Sequence, residues 1–268
     1  MDAASPIAPL RLLSANIQAG ARTDAFRDYL TRLHSQVLPH ASKRGNLEHL
    51  AGHLGEFDLV GLQESDPGSL RSGFLNQTHY LAERAGFPYW SHQPNRRVGR
   101  LATSANALLC KRPPDEVRDY PLPGRIAGRG VLWARFGEGD DALVVLIAHL
   151  SLGAKSRLAQ LAFIAELVQE AKRAVLMGDL NCEADSGELR HFYRQSGFEP
   201  PPDRLPTFPS WKPKRAIDHI LTTPELPVLR RWALPNLASD HLPMAAEIAL
   251  PAPKSNAPTA STMPNRSA

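Results

Sequence analysis

The sequence predicts an α/β protein built as a four-layer α/β sandwich, in which two mixed β-sheets pack face to face and are flanked by helices. Three observations lead to this prediction. The strand-like segments are apolar on both faces, as in sheets that are covered on each side. Helical segments separate some of these strands, whereas several others follow one another directly, which disfavours all-parallel winding. The 268 residues are 43% hydrophobic, which is enough for a large core.

In the amino-terminal half, strands and helices alternate. Apolar residues at helical spacing predict helices over 24–38, 45–55 and 74–86. Short apolar runs predict the strands LRLLSANI (10–17), FDLVGLQE (57–64) and SANALLCK (104–111).

The carboxyl-terminal half is richer in strands. Helices are predicted over 155–172 and 186–196, the second with Ser186 as its N-cap. The predicted strands are RGVLWARF (129–136), ALVVLIAHL (142–150), AVLMGDL (174–180), AIDHILTT (216–223), LRRWAL (229–234) and MAAEIAL (244–250). The total is eight or nine strands.

Composition limits the number of domains and the kinds of partner that the sequence predicts. No internal repeat or Pro/Gly-rich linker divides residues 10–250, so we expect one domain there after a short lead over 1–9. Residues 251–268 are rich in Pro, Ser, Ala and Asn and are expected to form a disordered tail. The net charge of +4 is compatible with an anionic partner and with many ordinary enzymes.

Cysteine usage and hydropathy exclude several kinds of protein. Cys110 and Cys182 lie far apart, which argues against a disulfide framework and a cysteine-based zinc site. The sequence contains no apolar run of about 18 residues and no secretory signal pattern. We therefore expect no transmembrane segment, a cytoplasmic location and, without a coiled-coil pattern, a monomer.

Polar side chains stand at the ends of the apolar strands, where their burial is costly unless they are used. They are Asn16, Glu64, His149, Asp179, Asn181, Asp240 and His241, and Asp218-His219 lies inside a further strand. Carboxylates and carboxamides without thiolates suit a hard cation such as Mg²⁺ or Mn²⁺, which neutralises phosphate charge. A His-Asp pair can hold a charged imidazole, and an Asp beside an Asn can hold a water for attack. These are components for hydrolysis of a phosphate ester.

Each signal also has a structural explanation. A single Asp or Asn at a strand end is more often a cap or turn residue, and Asp-His pairs often serve hydrogen bonding within loops. The basic cluster KPKR (212–215) is more often a solvated loop than a phosphate contact. The functional interpretation depends on six such signals in one chain.

Seven segments together resemble the endonuclease/exonuclease/phosphatase superfamily, the metal-dependent group that contains deoxyribonuclease I. In chain order they are LLSANI, DLVGLQE, ANALLCKR, VLIAHL, VLMGDLN, TFPSW…IDHIL and SDHLPM, over residues 10–250. The resemblance implies the deoxyribonuclease I-like sandwich, a Mg²⁺ or Mn²⁺ cofactor and hydrolysis of phosphate esters.

The resemblance also implies roles for individual residues. Implied metal-binding residues are Glu64, Asn16 and Asp240. Implied catalytic residues are His149 at the scissile phosphate, Asp179 and Asn181 around the nucleophile, and His241 with Asp218 as its orienting partner. Implied substrate-site residues are Asn106, Arg129 and Thr207.

The sequence departs from patterns within the superfamily at several places. Many abasic-site endonucleases carry an acidic residue where Gln18 stands, and the usual Asp-Tyr pair is Asp218-His219 here. The tryptophan-rich DNA-contacting segment of those enzymes is not evident. The PSW segment resembles the PxWCDR element of inositol-polyphosphate 5-phosphatases, but Lys212–Ile217 separates Trp211 from Asp218. These departures concern the substrate rather than the superfamily.

Three functional hypotheses follow. The favoured one is a metal-dependent phosphodiesterase on nucleic acid, DNA more than RNA, with basic loop residues along a phosphate backbone. These residues are Arg96, Arg97, Arg100, Lys212, Lys214 and Arg215. The second is a phosphatase or phospholipase-type phosphodiesterase on an inositol phosphate, a lipid head group or another small phosphoester. The third is a non-catalytic binding module on the same fold.

Overall fold

A computed structural model describes residues 9–18, 41–98, 102–125, 127–235 and 239–251. The helix predicted over 24–38, nearly all of the lead over 1–9, and the tail after 251 lie outside these residues.

Eleven strands in the described part form two sheets. The six-stranded sheet has the order β10-β11-β1-β2-β4-β3 and the five-stranded sheet the order β5-β6-β7-β8-β9. The strands of the first sheet are β1 Leu10–Asn16, β2 Leu59–Ser65, β3 Tyr89–Val98, β4 Ala102–Cys110, β10 Val228–Ala233 and β11 Met244–Ile248. Those of the second are β5 Glu116–Pro121, β6 Gly130–Phe136, β7 Leu143–His149, β8 Arg173–Asp179 and β9 Asp218–Thr222.

Four helices in the same part cover the sheets: α1 Ala41–Leu54, α2 Gln77–Ala85, α3 Ala154–Leu167 and α4 Gly187–Ser196. The N-cap predicted at Ser186 is confirmed, since its side chain accepts a hydrogen bond from the Leu189 N–H. Helix α3 ends five residues before the predicted 172, and α2 begins later than the predicted 74. None of the described helices is long and apolar enough to span a membrane.

The core lies in three slabs between the four layers. One slab joins α1 and α2 to the first sheet, a second joins α3 and α4 to the second sheet, and the third lies between the sheets. Neighbouring strand residues face opposite slabs: Leu12 packs between the sheets and Leu13 packs under the helices. This alternation explains the two-sided apolar runs and confirms the predicted four-layer sandwich.

Two strands were missed by the sequence analysis, β3 and β5. Both are edge strands. Strand β5 is mostly exposed, and β3 contains Pro94 with neighbouring polar residues. An edge strand need not be apolar on both faces, so the criterion that identified the central strands fails for these two.

Candidate active site

Sheet topology brings the polar strand ends to one edge of the sandwich. Strands β1 and β2 are parallel, with Asn16 beside Gln63, so Glu64 lies at the same edge as Asn16. Strands β7 and β8 are also parallel and pair His149 with Asp179. Strand β9 is antiparallel to β8 and begins at Asp218, directly opposite Asp179.

The loop before β11 completes this edge. Met244 pairs with Ser14 near the end of β1, so the preceding residues Asp240 and His241 lie beyond the carboxyl end of that strand. The Ser239 hydroxyl donates to the Asn16 carbonyl oxygen at 2.6 Å and accepts from the His241 N–H at 3.2 Å. Ser239 thus fixes His241 to β1, a role that the sequence analysis did not assign.

Asn16 joins the two sheets at the centre of the site. Its Nδ2 donates to Glu64 Oε1 and to Asp179 Oδ2, each at 3.3 Å. The Gln18 N–H donates to Asn16 Oδ1 at 3.1 Å and so fixes the carboxamide from the other side. Glu64 has a left-handed backbone with φ 57°, which is uncommon for a residue other than glycine. Such strain often occurs at functional sites.

The Gly-Asp-Leu-Asn segment at the end of β8 forms a tight turn under the site. Gly178 has φ 147°, and a Cβ there would lie 1.8 Å from the Ala148 carbonyl oxygen, so only glycine fits. The Asn181 N–H donates to Asp179 Oδ1 at 3.0 Å, and Asn181 Nδ2 donates to the Leu150 carbonyl oxygen at 2.9 Å. This turn leaves Asp179 Oδ2 directed toward the site.

His241 and Asp218 form a buried hydrogen-bonded pair. His241 Nδ1 lies 2.8 Å from Asp218 Oδ2 and 3.0 Å from Oδ1, and Thr207 Oγ1 donates to Asp218 Oδ2 at 2.5 Å. The Phe208 ring packs against the imidazole at a centroid distance of 4.8 Å. His241 Nε2 is 3.7 Å from Asp179 Oδ2 and 4.0 Å from Asp240 Oδ1. Both distances exceed that of a hydrogen bond, so this N–H can donate to an incoming oxygen.

The two histidines carry different charges. Burial lowers the pKa of His241, but Asp218, Asp179 and Asp240 outweigh it and raise that pKa to about 10. His149 lies 3.4 Å from Asp179 Oδ2 and 3.8 Å from Glu64 Oε1. Burial, with the positive charges of Arg129 and His241, nevertheless holds the pKa of His149 well below its ordinary value. His241 is therefore an imidazolium and His149 a neutral imidazole at neutral pH.

Burial disfavours the charged form of two acidic side chains at the site, Asp179 and Asp240. Burial raises the pKa of Asp179 to about 7 against the opposing effect of His241, with Asp218 and Glu64 adding to the rise. Burial likewise raises the pKa of Asp240 to about 6, again opposed by His241. Four acidic side chains, Glu64, Asp179, Asp218 and Asp240, thus lie within 4.0 Å of His149 or His241.

This donor set fits a divalent cation. Oxygen atoms of closely placed carboxylates are the ligands that a hard cation prefers, and its charge would offset their repulsion. Ligand-capable atoms of Asp179, Asp218 and His241 lie within 4.8 Å of one another. His241 and Asp218 already satisfy each other by a hydrogen bond, so we regard the carboxylates around Asn16 as the better fit. The Glu64 side chain, 29% exposed, is open to such an ion.

The three implied substrate-site residues occupy different positions. Arg129 precedes β6 and lies close enough to influence His149. Thr207 contacts Asp218 rather than open space. Asn106 is fully buried in β4, where its Nδ2 donates to the carbonyl oxygens of Gly130 at 2.8 Å and Ile147 at 3.2 Å. Asn106 therefore joins the sheets behind Arg129 and His149.

A family model, described as the Endonuclease/Exonuclease/phosphatase family, matches residues 13–241. The chain belongs to this family. Members are generally hydrolases of phosphate esters and typically depend on divalent metals. Among curated proteins, no sequence matches the chain.

Solved structures of the family share the fold. An endonuclease/exonuclease/phosphatase from Beutenbergia cavernae has a TM-score of 0.69 and 20% identity over 91% of this chain and 72% of its own. A mannosyl-6-phosphatase of Bacteroides thetaiotaomicron has a TM-score of 0.64 and 19% identity over 89% of this chain and 99% of its own. The human Nocturnin catalytic domain, solved with a sulfate anion, has a TM-score of 0.66 and 17% identity over 91% of this chain and 94% of its own.

The departure from the family pattern at His219 lies outside the site. His219 is buried on the opposite face of β9 from Asp218, and its Nε2 lies 2.8 Å from the Cys182 carbonyl oxygen. Burial lowers the pKa of His219, so the neutral ring donates this bond. His219 thereby joins β9 to the residue that follows Asn181.

Proposed function

We propose that this member of the family is a Mg²⁺- or Mn²⁺-dependent phosphodiesterase that hydrolyses nucleic acid. One observation carries the proposal: Asn16, Glu64, His149, Asp179 and His241 converge at one edge of the sandwich through contacts no longer than 3.8 Å. Such a concentration of buried charge is costly for stability alone and typical of an active site.

In this proposal Glu64 and Asp240 would hold the metal, with Asn16 beside them, and a bound metal would neutralise phosphate charge. Asp179 Oδ2 accepts a proton from the attacking water. The Asn181 N–H holds the other carboxylate oxygen, Oδ1, and so fixes the orientation of Asp179 toward that water.

The histidines would contact the phosphate. His241 presents a charged Nε2–H to a phosphoryl oxygen, and Asp218 holds the ring by its Nδ1. The neutral His149 is available as a second hydrogen-bond donor beside the same carboxylates. Each group acts from a fixed position, so little reorganisation is needed during the reaction.

A second candidate is a phosphatase on a small phosphoester. The same constellation can serve a monoester, and the structural neighbour from Bacteroides thetaiotaomicron is a mannosyl-6-phosphatase. At 19% identity this likeness concerns the fold. It is compatible with a phosphatase but does not distinguish the two candidates.

A substrate panel separates the two candidates. Purified protein is assayed with Mg²⁺, Mn²⁺ or EDTA on plasmid DNA, an abasic-site duplex, single-stranded RNA and a set of phosphomonoesters, with Glu64→Ala as the control. We expect metal-dependent cleavage of nucleic acid that the variant loses. Release of phosphate from monoesters without cleavage of nucleic acid would replace the first candidate with the second.

A further inference from the structure

A short basic hairpin, residues 207–215, borders the site. Phe208 and Arg215 pair across it in an isolated antiparallel bridge. The Lys212 N–H donates to the Pro209 carbonyl oxygen at 3.0 Å, and the Lys214 N–H donates to the Phe208 carbonyl oxygen at 2.9 Å. These bonds give the segment a defined shape although it belongs to neither sheet.

The basic hairpin is fixed to the catalytic residues at three points. Thr207 bonds to Asp218, Phe208 packs on His241, and the Ser210 N–H donates to the Asp240 carbonyl oxygen at 2.7 Å. Lys212 follows Ser210 by two residues, so its Cα lies within about 7 Å of the Ser210 Cα. The hairpin tip is therefore a close neighbour of the site rather than a remote loop.

The tip carries exposed positive charge without compensation. Lys212, Lys214 and Arg215 are exposed, and within the part of the chain that the structure describes their side chains form no ion pair. No acidic residue occurs between 207 and 217. Several other basic residues are neutralised, as in the pairs Arg157–Glu188 at 2.6 Å and Arg173–Asp141 at 2.9 Å.

We propose that Lys212, Lys214 and Arg215 bind a second phosphate group of the substrate, next to the one that is cleaved. The proposal rests on the proposed phosphoesterase function and narrows its substrate to molecules with at least two phosphates. Mobile, solvated ammonium groups suit backbone phosphates, which they contact without reading sequence. The second phosphate can belong to a nucleic acid strand or to a small polyphosphorylated molecule.

Salt-dependent binding tests this inference independently of catalysis. Binding of a single-stranded DNA oligonucleotide and of an inositol polyphosphate is measured in EDTA at several salt concentrations, for the wild type and Lys212→Gln/Lys214→Gln. Loss of the contact with the second phosphate should lower the slope of log affinity against log salt for the oligonucleotide by about 0.7. If the hairpin variant weakens binding of the oligonucleotide alone, the second phosphate belongs to a nucleic acid strand. If it weakens binding of the inositol polyphosphate alone, the second phosphate belongs to a small molecule.

The matched control is Lys111→Gln/Arg112→Gln. Both residues follow the end of β4, whose Cys110 pairs with Leu59 at the start of β2, so they lie at the opposite end of the sheet from Glu64. This variant removes the same formal charge, although Lys111 also forms an ion pair with Asp58 at 3.7 Å, and it should leave the slope unchanged. Equal effects of the two variants, or no effect of the hairpin variant on either ligand, would overturn the inference.

Catalysis gives a second readout. The hairpin variant should lower kcat/KM on a substrate with several phosphates at least about tenfold more than on bis-p-nitrophenyl phosphate, which has one. An equal loss on both would contradict the inference while leaving the phosphoesterase function in place. Failure of the wild type on every substrate would instead refute the proposed function, and the binding result would still decide the hairpin.

Discussion

At the scale of single residues, Asp218 and His241 form one buried hydrogen-bonded pair, and we expect them to act as a unit. The carboxylate holds Nδ1 of the ring at 2.8 Å and is itself held by Thr207. Asp218→Asn removes the charge that stabilises the imidazolium, and His241→Ala removes the ring. Each change should lower kcat by about 10²- to 10⁴-fold. The double variant should be no slower than the slower single variant, because the residues act as a unit.

Steady-state kinetics on a phosphoester substrate checks this expectation, with thermal unfolding as the control for folding. If the two losses multiply in the double variant, the residues act independently and the pairing has no catalytic role.

The chemistry of each side chain determined whether its place in the site could be predicted from the sequence. Asp179, Asn181 and His241 have polar or charged groups that are costly to bury, so their positions at the ends of apolar runs predicted a functional role. Ser239 has an ordinary hydroxyl, and its bond to the Asn16 carbonyl oxygen joins residues 223 positions apart. The burial of Asn106 between the sheets depends on the register of β4 against its neighbours, which a single sequence does not contain.

At the scale of the elements, Asn106 connects β4 to β6 and β7. Asn106→Leu would leave the carbonyl oxygens of Gly130 and Ile147 without this buried donor, which should cost about 1–3 kcal/mol of stability. It should also lower kcat. Asn106 holds Gly130, the neighbour of Arg129, and Ile147, two residues before His149, so its loss would shift both site residues.

Leu108→Ala, on the same strand, is the control for Asn106→Leu. This change creates a cavity in the apolar slab between the sheets and should cost about 2–5 kcal/mol without disturbing those polar bonds. Denaturant unfolding and kcat are measured for both variants well below their melting temperatures. A similar fall in kcat for the two variants would assign the effect to general instability.

Central strands and edge strands differ in how well a sequence reveals them. Strand β7 is buried along its whole length and was predicted from its apolar run. Strand β5 is exposed at most positions, so its residues resemble those of a loop. The described helices were predicted from their apolar spacing, but apolar spacing does not fix the terminal residues of a helix, and α3 ends at Leu167 rather than 172.

The whole molecule explains why the strand ends form a site. The parallel pairs β1–β2 and β7–β8 place two sets of carboxyl ends at one edge, and the antiparallel strands β9 and β11 begin there. The ends of six strands thereby meet at the edge that holds Asp179. Most of these residues can be named from the sequence, but only the family resemblance implies that they meet, because a single sequence does not show which strand ends converge.

The central claim is that this convergence hydrolyses phosphate esters. The most direct measurement is the turnover of a phosphodiester by purified protein with Mg²⁺ or Mn²⁺, compared with EDTA and with Asp179→Asn. Metal-dependent turnover should fall at least about 10³-fold in the variant, since its amide cannot accept the proton of the attacking water. Thermal unfolding should show that the variant remains folded. Equal turnover in the wild type and the folded variant, or turnover that EDTA does not affect, would contradict the account.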